Sequence, residues 1–169
     1  PSGEGLKTND LSATRLHAVN LHRTSMMNWN GFRDAHEGYY VTVTSDAPRK
    51  ALPVLLSEWA RYKRQSERRF ALLVKLSTFD CEKTDEKLLQ ECQRLVQYAC
   101  SPKAPPQLDF YVLVEDLSEA CMGQLYASCR ALVTTSVGEG FGGPVVEAAM
   151  QSKPVLSARH SSLEALMPE

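Results

Sequence analysis

The sequence predicts an α/β fold, a parallel sheet with helices on both faces. Three observations carry that expectation. From residue 39 onward, β-branched or aromatic runs alternate strictly with amphipathic stretches, the pattern of parallel strands joined by right-handed crossovers. One of those runs, FALLVKL at 70–76, is apolar almost throughout, as suits a strand covered on both faces. A glycine-rich turn, SVGEGFGG at 136–143, lies between an apolar run and a helical pattern. Such sheets bind ligands there, beyond the carboxyl ends of their strands.

Residues 1–38 are polar and rich in Ser, Asn and His. They read as a linker or the trailing edge of a preceding domain, with 11–21 spaced as a short helix and 25–38 irregular. His17, His22 and His36 share no helical ligand spacing and read as surface or linker histidines. Residues 39–169 read as the domain itself. YYVTVT at 39–44 is a strand. Asp46 is placed to cap a helix with Pro48 in its first turn, and Leu52, Leu55, Leu56, Trp59 and Tyr62 form one apolar stripe along it. The second strand is 70–76. Thr84, followed by Asp85 and Glu86, starts a second helix with Leu88, Leu89, Cys92, Leu95, Val96 and Ala99 inward. A proline-rich connection at 101–108 leads to a third strand, FYVLV at 110–114. Ser118 caps a third helix that turns Met122, Leu125, Tyr126 and Cys129 inward. A fourth strand at 131–135, a helix at 144–151 and a short strand at 154–157 follow. Ser161 and Glu164 have capping-box spacing for another helix.

The loops at 44–50, 77–80, 115–117 and 136–143 therefore share one rim. In the last of them, Gly138, Gly140, Gly142 and Gly143 permit positive φ and close approach to a ligand. Pro144 suits a first helical turn, and the amides of Gly142 and Gly143 would face an anion. Glu139 and Glu147 bracket the turn. Taken alone, Glu147 is an exposed glutamate near a favourable dipole end. Lys50 follows Arg49 at the opening of the first helix, as a ligand cation or as half of a solvated basic pair. Lys75 stands inside an apolar strand, where a charge is costly unless paired or extended to the rim. It either points at a ligand or snorkels to water.

The stretch ALVTTSVGEGFGGPVVE at 131–147 resembles the donor-binding motif of retaining glycosyltransferases of family 4 (glycosyltransferases group 1), which have the GT-B fold. The carrying residues are Glu139, the run Gly140-Phe141-Gly142-Gly143-Pro144-Val145-Val146, and Glu147. The following Ala148-Ala149-Met150-Gln151-Ser152-Lys153-Pro154-Val155 is a looser match to the family's Ala-Met-Ala-x-Gly-x-Pro-Val. The resemblance covers 39–169 and is strongest from residue 125. It implies the C-terminal, Rossmann-like half of a GT-B enzyme, which binds a nucleotide sugar such as a UDP- or GDP-sugar and transfers the hexose with retention. It further implies ribose hydrogen bonds for Glu147, and a place facing the donor sugar for Glu139 with the backbone of Gly140, Phe141, Gly142 and Gly143. Lys50, with Lys75 as a second candidate, would reach the diphosphate, with Lys50 and Glu139 as the catalytic pair. No metal or cofactor is implied. The acceptor-binding N-terminal domain would be the partner, and this fragment alone would transfer nothing. Three places depart from the family: Thr44 where an arginine is frequent, Gly143, and Gln151-Ser152. They support a second reading, a non-catalytic relative serving as an interaction or scaffold subunit.

Composition narrows the field further. Nineteen Lys and Arg against 20 Asp and Glu leave no electrostatic footprint for nucleic acid. No run approaches the ~20 apolar residues of a membrane span. No secretory signal pattern opens the chain, and the first residue is Pro1, which suggests an interior segment of a longer protein. The five cysteines include no Cys-x-x-Cys pair. They read as reduced apolar fillers, suggesting a reducing compartment such as the cytoplasm. Gly138, Gly140 and Gly143 also fit Gly-x-Gly-x-x-Gly, the mark of an NAD-type domain. That fingerprint normally follows the first strand, with an acid at the end of the next; here it follows the fourth, and the next ends in Ser157-Ala158-Arg159. Neither a P-loop nor a hydrolase elbow is present.

Overall fold

The structure is a computed structural model that describes residues 19–22, 29–45, 47–77, 108–113, 116–159 and 162–166. Within them lies one parallel sheet of β1 (Val19–His22), β2 (Gly38–Thr44), β3 (Phe70–Leu76), β4 (Phe110–Leu113), β5 (Ala131–Thr134) and β6 (Val155–Ser157). The strand order is β1-β4-β3-β2-β5-β6, and every pairing is parallel. The helices are α1 (Trp29–Ala35), α2 (Leu52–Gln65), α3 (Glu119–Ser128), α4 (Gly143–Met150) and α5 (Ser162–Leu166).

The alternation of β3 explains the two layers. Phe70, Leu72, Val74 and Leu76 join Leu52, Leu55, Leu56 and Trp59 of α2 in one apolar cluster. Ala71 and Leu73 join the other, with Leu125 and Tyr126 of α3, Val145 and Ala148 of α4, and Leu163 of α5. Each large side chain so buried contributes roughly 1.5–3 kcal/mol. Both faces of the sheet are covered, as the apolar run at 70–76 predicts. The indole of Trp59 donates to the Leu108 carbonyl at 2.7 Å, which fixes α2 to the start of β4. Beside it, Asp109 holds Lys63 at 2.6 Å and His36 at 3.3 Å, with all three side chains almost wholly buried.

Three readings of the sequence differ from the structure. Residues 19–22 form an edge strand rather than the end of a helix, with Val19 in register with Phe110; the β4 ladder outweighs local helical spacing. Residues 29–35 are helical rather than irregular. Among the described side chains of this helix, Phe32 is the buried apolar one, packed against Tyr39 and Tyr111. Residues 19–22 thus pair with this sheet and residues 29–35 form a helix packed near it. Finally, α2 begins at Leu52, not Pro48. Pro48–Lys50 is a separate 3-10 turn, closed by Ala51 in the left-handed region at φ 48°, and Pro53 takes the first-turn place. The helix expected from Thr84, most of the proline-rich connection, the caps at Asp46 and Ser161, and Cys81, Cys92 and Cys100 lie outside the described residues.

From β2 the chain builds outward through β3 and β4, then returns to the opposite side of β2 as β5. The crevice beyond the carboxyl ends of β2 and β5 is therefore the reversal point where open α/β sheets accept ligands.

Candidate functional site

The two loops at that crevice are joined by a seam of hydrogen bonds. The Thr135 hydroxyl lies 3.1 Å from the Lys50 carbonyl and 3.2 Å from that of Ala51. The buried Ser136 hydroxyl lies 3.3 Å from the Arg49 carbonyl and 3.1 Å from that of Gly138. The Val137 amide donates to the Arg49 carbonyl at 2.8 Å. This seam brings Lys50 against Glu139, Nζ to Oε1 at 2.5 Å, with side chains only 13% and 12% exposed. Burial by itself would raise the Glu139 pKa. Hydrogen bonds from Lys50 and Ser136, with the charges of Lys50 and Arg49, outweigh it and hold the carboxyl below its ordinary value. From α5, the Ser162 hydroxyl donates to the Glu139 carbonyl at 3.1 Å.

Of the four loop glycines, only Gly142 has positive φ, 79°. It is the N-cap of α4 and supplies no side-chain cap. A Cβ there would lie 2.6 Å from Leu163 Cδ2, so both conformation and the packing of α5 demand glycine. Gly138, Gly140 and Gly143 do not need the left-handed region, a correction to the sequence reading. A Cβ at Gly138 or Gly140 would meet nothing within 4 Å, and one at Gly143 would rest at ordinary contact, 3.9 Å from Glu147 Oε1. Phe141 is 68% exposed and Val137 66%, so the Glu139 loop carries an apolar lip.

A cavity of about 590 Å³ opens beside this loop, with Lys75, Ser77, Asp116, Tyr126, Pro144 and Glu147 in its wall. Lys75 is only 4% exposed; its Nζ donates to the Leu76 carbonyl at 3.2 Å and stands 3.9 Å from Asp116 Oδ1. The Tyr126 hydroxyl donates to Glu147 Oε2 at 2.7 Å. Burial, then the hydrogen bond and charge of Glu147, push its pKa well above the ordinary tyrosine value. At the end of β2, the buried Ser45 hydroxyl has no hydrogen-bond partner among the described residues. A larger cavity of about 780 Å³ between α1 and α3 contains none of the predicted site residues.

The predicted residues thus fall into two groups: Lys50 is paired with Glu139, while Lys75 and Glu147 line one cavity with Pro144 at the start of α4. Sequence reasoning missed Thr135, Ser136 and Ser162, which hold the loop, and the hydroxyl of Tyr126. The run Thr134-Thr135-Ser136 before the glycines was the available signal. Tyr126 gave none, because its ring spacing marks it only as core.

No protein-family model matches the chain. A stretch of 52 residues is 42% identical to the serotype-specific mannosyltransferase WbdA of Escherichia coli, covering 30% of this chain and 6% of that protein. Among solved structures, the α,α-trehalose-6-phosphate synthase of Burkholderia multivorans aligns at TM-score 0.64 and 10% identity, over 91% of this chain and 34% of that one. The C-terminal domain of the group 1 glycosyl transferase LpcC from Francisella tularensis aligns at TM-score 0.56 and 12% identity, over 90% of this chain and 74% of that one. The fold is that of the C-terminal domain of GT-B glycosyltransferases. The chain spans about a third of the synthase and a small part of the mannosyltransferase.

Proposed function

We propose that this chain is the donor-binding domain of a retaining glycosyltransferase that uses a nucleotide sugar. The observation that carries the reading is a cation and a carboxylate, Lys75 and Glu147, lining one cavity at the N-terminus of α4. A nucleotide sugar needs positive groups for its diphosphate and an acceptor for its ribose hydroxyls, and this cavity offers both. Lys50 and the helix start would add to the diphosphate side. When the bond from the anomeric carbon to the phosphate oxygen breaks, its electron pair stays on the diphosphate. Fixed positive groups stabilise that charge without reorganisation. Glu139, held ionised by Lys50, accepts hydrogen bonds from hexose hydroxyls. The acceptor and its domain belong to the remainder of a larger protein.

One observation favours a non-catalytic scaffold instead: Lys50 and Glu139 already satisfy each other. Calorimetry separates the two readings. UDP, GDP and ADP are titrated into the longest natural protein containing these residues, with Glu147→Ala as comparison. Binding of one nucleotide, weakened by about 1.5–3 kcal/mol or roughly 10- to 150-fold in the variant, is expected for a donor site. No binding of any nucleotide by the folded protein would leave the scaffold reading.

A further inference from the structure

We propose that Tyr126 is the positioning residue that aims Glu147 at the ribose, and so sets the preference for nucleotides with intact ribose hydroxyls. The inference rests on the donor-site reading above. Glu147 is an exposed residue on a helix of eight residues, and an exposed glutamate samples several rotamers. Here one of its oxygens is tied down. Tyr126 is 1% exposed, its ring belongs to the core cluster beneath α4, and its hydroxyl reaches Glu147 Oε2 at 2.7 Å. A rigid donor rooted in the core thereby fixes a surface carboxylate. The second oxygen, Oε1, lies on the Gly143 side, 3.9 Å from where a Cβ on that glycine would stand, and both Tyr126 and Glu147 line the cavity. A carboxylate held by one oxygen presents the other in a single direction, which is what discrimination between a hydroxyl and a hydrogen requires. With its pKa raised by burial and by Glu147, the phenol remains a donor across neutral and mildly alkaline pH.

The test compares whichever of UDP, GDP or ADP binds best with its 2′-deoxy and 3′-deoxy counterparts, by calorimetry, on the longest natural protein containing these residues. Removal of the recognised hydroxyl is expected to weaken binding to the unaltered protein by about tenfold. In Tyr126→Phe, which keeps the ring and its packing, that penalty is expected to fall below about threefold, because the intact nucleotide loses its advantage. Tyr126→Met, which also lacks the hydroxyl while filling much of the ring's volume, should show the same collapse and serves if the phenylalanine variant folds poorly. A tyrosine of purely structural importance would weaken ribo- and deoxy-nucleotides alike, leaving the tenfold ratio intact; that result overturns the inference while the donor site stands. Failure of the unaltered protein to bind any nucleoside diphosphate would remove the donor-site reading, and this inference with it.

Discussion

Replacing Glu139 by Gln, Lys50 by Met, and both together isolates the ion pair that closes the seam. At 2.5 Å the gross attraction is about 6–7 kcal/mol for an effective dielectric of about 20. Most of that is returned as lost hydration. Breaking a fully buried pair costs about 3–5 kcal/mol and an exposed one about 0–1 kcal/mol. With side chains 13% and 12% exposed, each single change should cost about 2 kcal/mol, much of it the penalty of an unpaired neighbour. The double variant should therefore lose well under the sum, with a coupling of about 1–2 kcal/mol in urea denaturation at pH 7. Proton linkage gives an independent check. The folded carboxyl of Glu139 titrates below its ordinary value of 4.5, so its contribution is present above that pH and disappears as pH falls through the folded pKa. The unaltered protein should lose stability more steeply below pH 4.5 than Glu139→Gln does. Additivity within about 0.3–0.5 kcal/mol, or parallel acid profiles, would refute the coupling.

The neighbouring residues give sharper contrasts. Gly142→Ala should destabilise by about 2–4 kcal/mol, combining the left-handed penalty with the clash against Leu163, whereas Gly143→Ala should stay within about 0.5 kcal/mol; thermal denaturation decides both. Ser152 holds φ 55°, and Ser152→Gly should stabilise by about 0.5–1 kcal/mol after the greater freedom of the unfolded chain is deducted. Asp109→Ala leaves Lys63 without its carboxylate in an almost closed setting and should cost about 3–5 kcal/mol. A loss under 1 kcal/mol in denaturant would show that water reaches Lys63 there.

Most of the described strands and helices after residue 39 were legible because each announces itself locally. FALLVKL is buried along its whole length, and Ser118 accepts from the Cys121 amide as its N-cap. What escaped depends on partners distant in sequence. Residues 19–22 become a strand only because β4 is beside them. Pro48 looked like a helix start because nothing local reveals the left-handed Ala51 that intervenes. The chemistry divided in the same way. The spacing of Glu139 and Glu147 is a local pattern. The Lys50–Glu139 contact spans 89 positions, and the Tyr126 hydroxyl's partner sits on another helix. Where the motif this chain resembles has glycine, Ser152 sits in the left-handed region at φ 55°, a conformational cost, while Gly143 is neutral in shape.

The seam between the two rim loops also bears on how such a site changes over generations. Apart from the Lys50–Glu139 pair, its bonds on the side of residues 49–51 end on main-chain oxygens, which every amino acid supplies. Mutation can therefore rewrite the side chain of Arg49 without unpicking those stitches, provided Thr135 and Ser136 keep their hydroxyls, whereas a change at Lys50 also gives up the ion pair. A lineage could explore new ligands at position 49 on an unchanged scaffold. Random libraries confined to 49 should yield mostly folded proteins, and libraries at 135 and 136 far fewer.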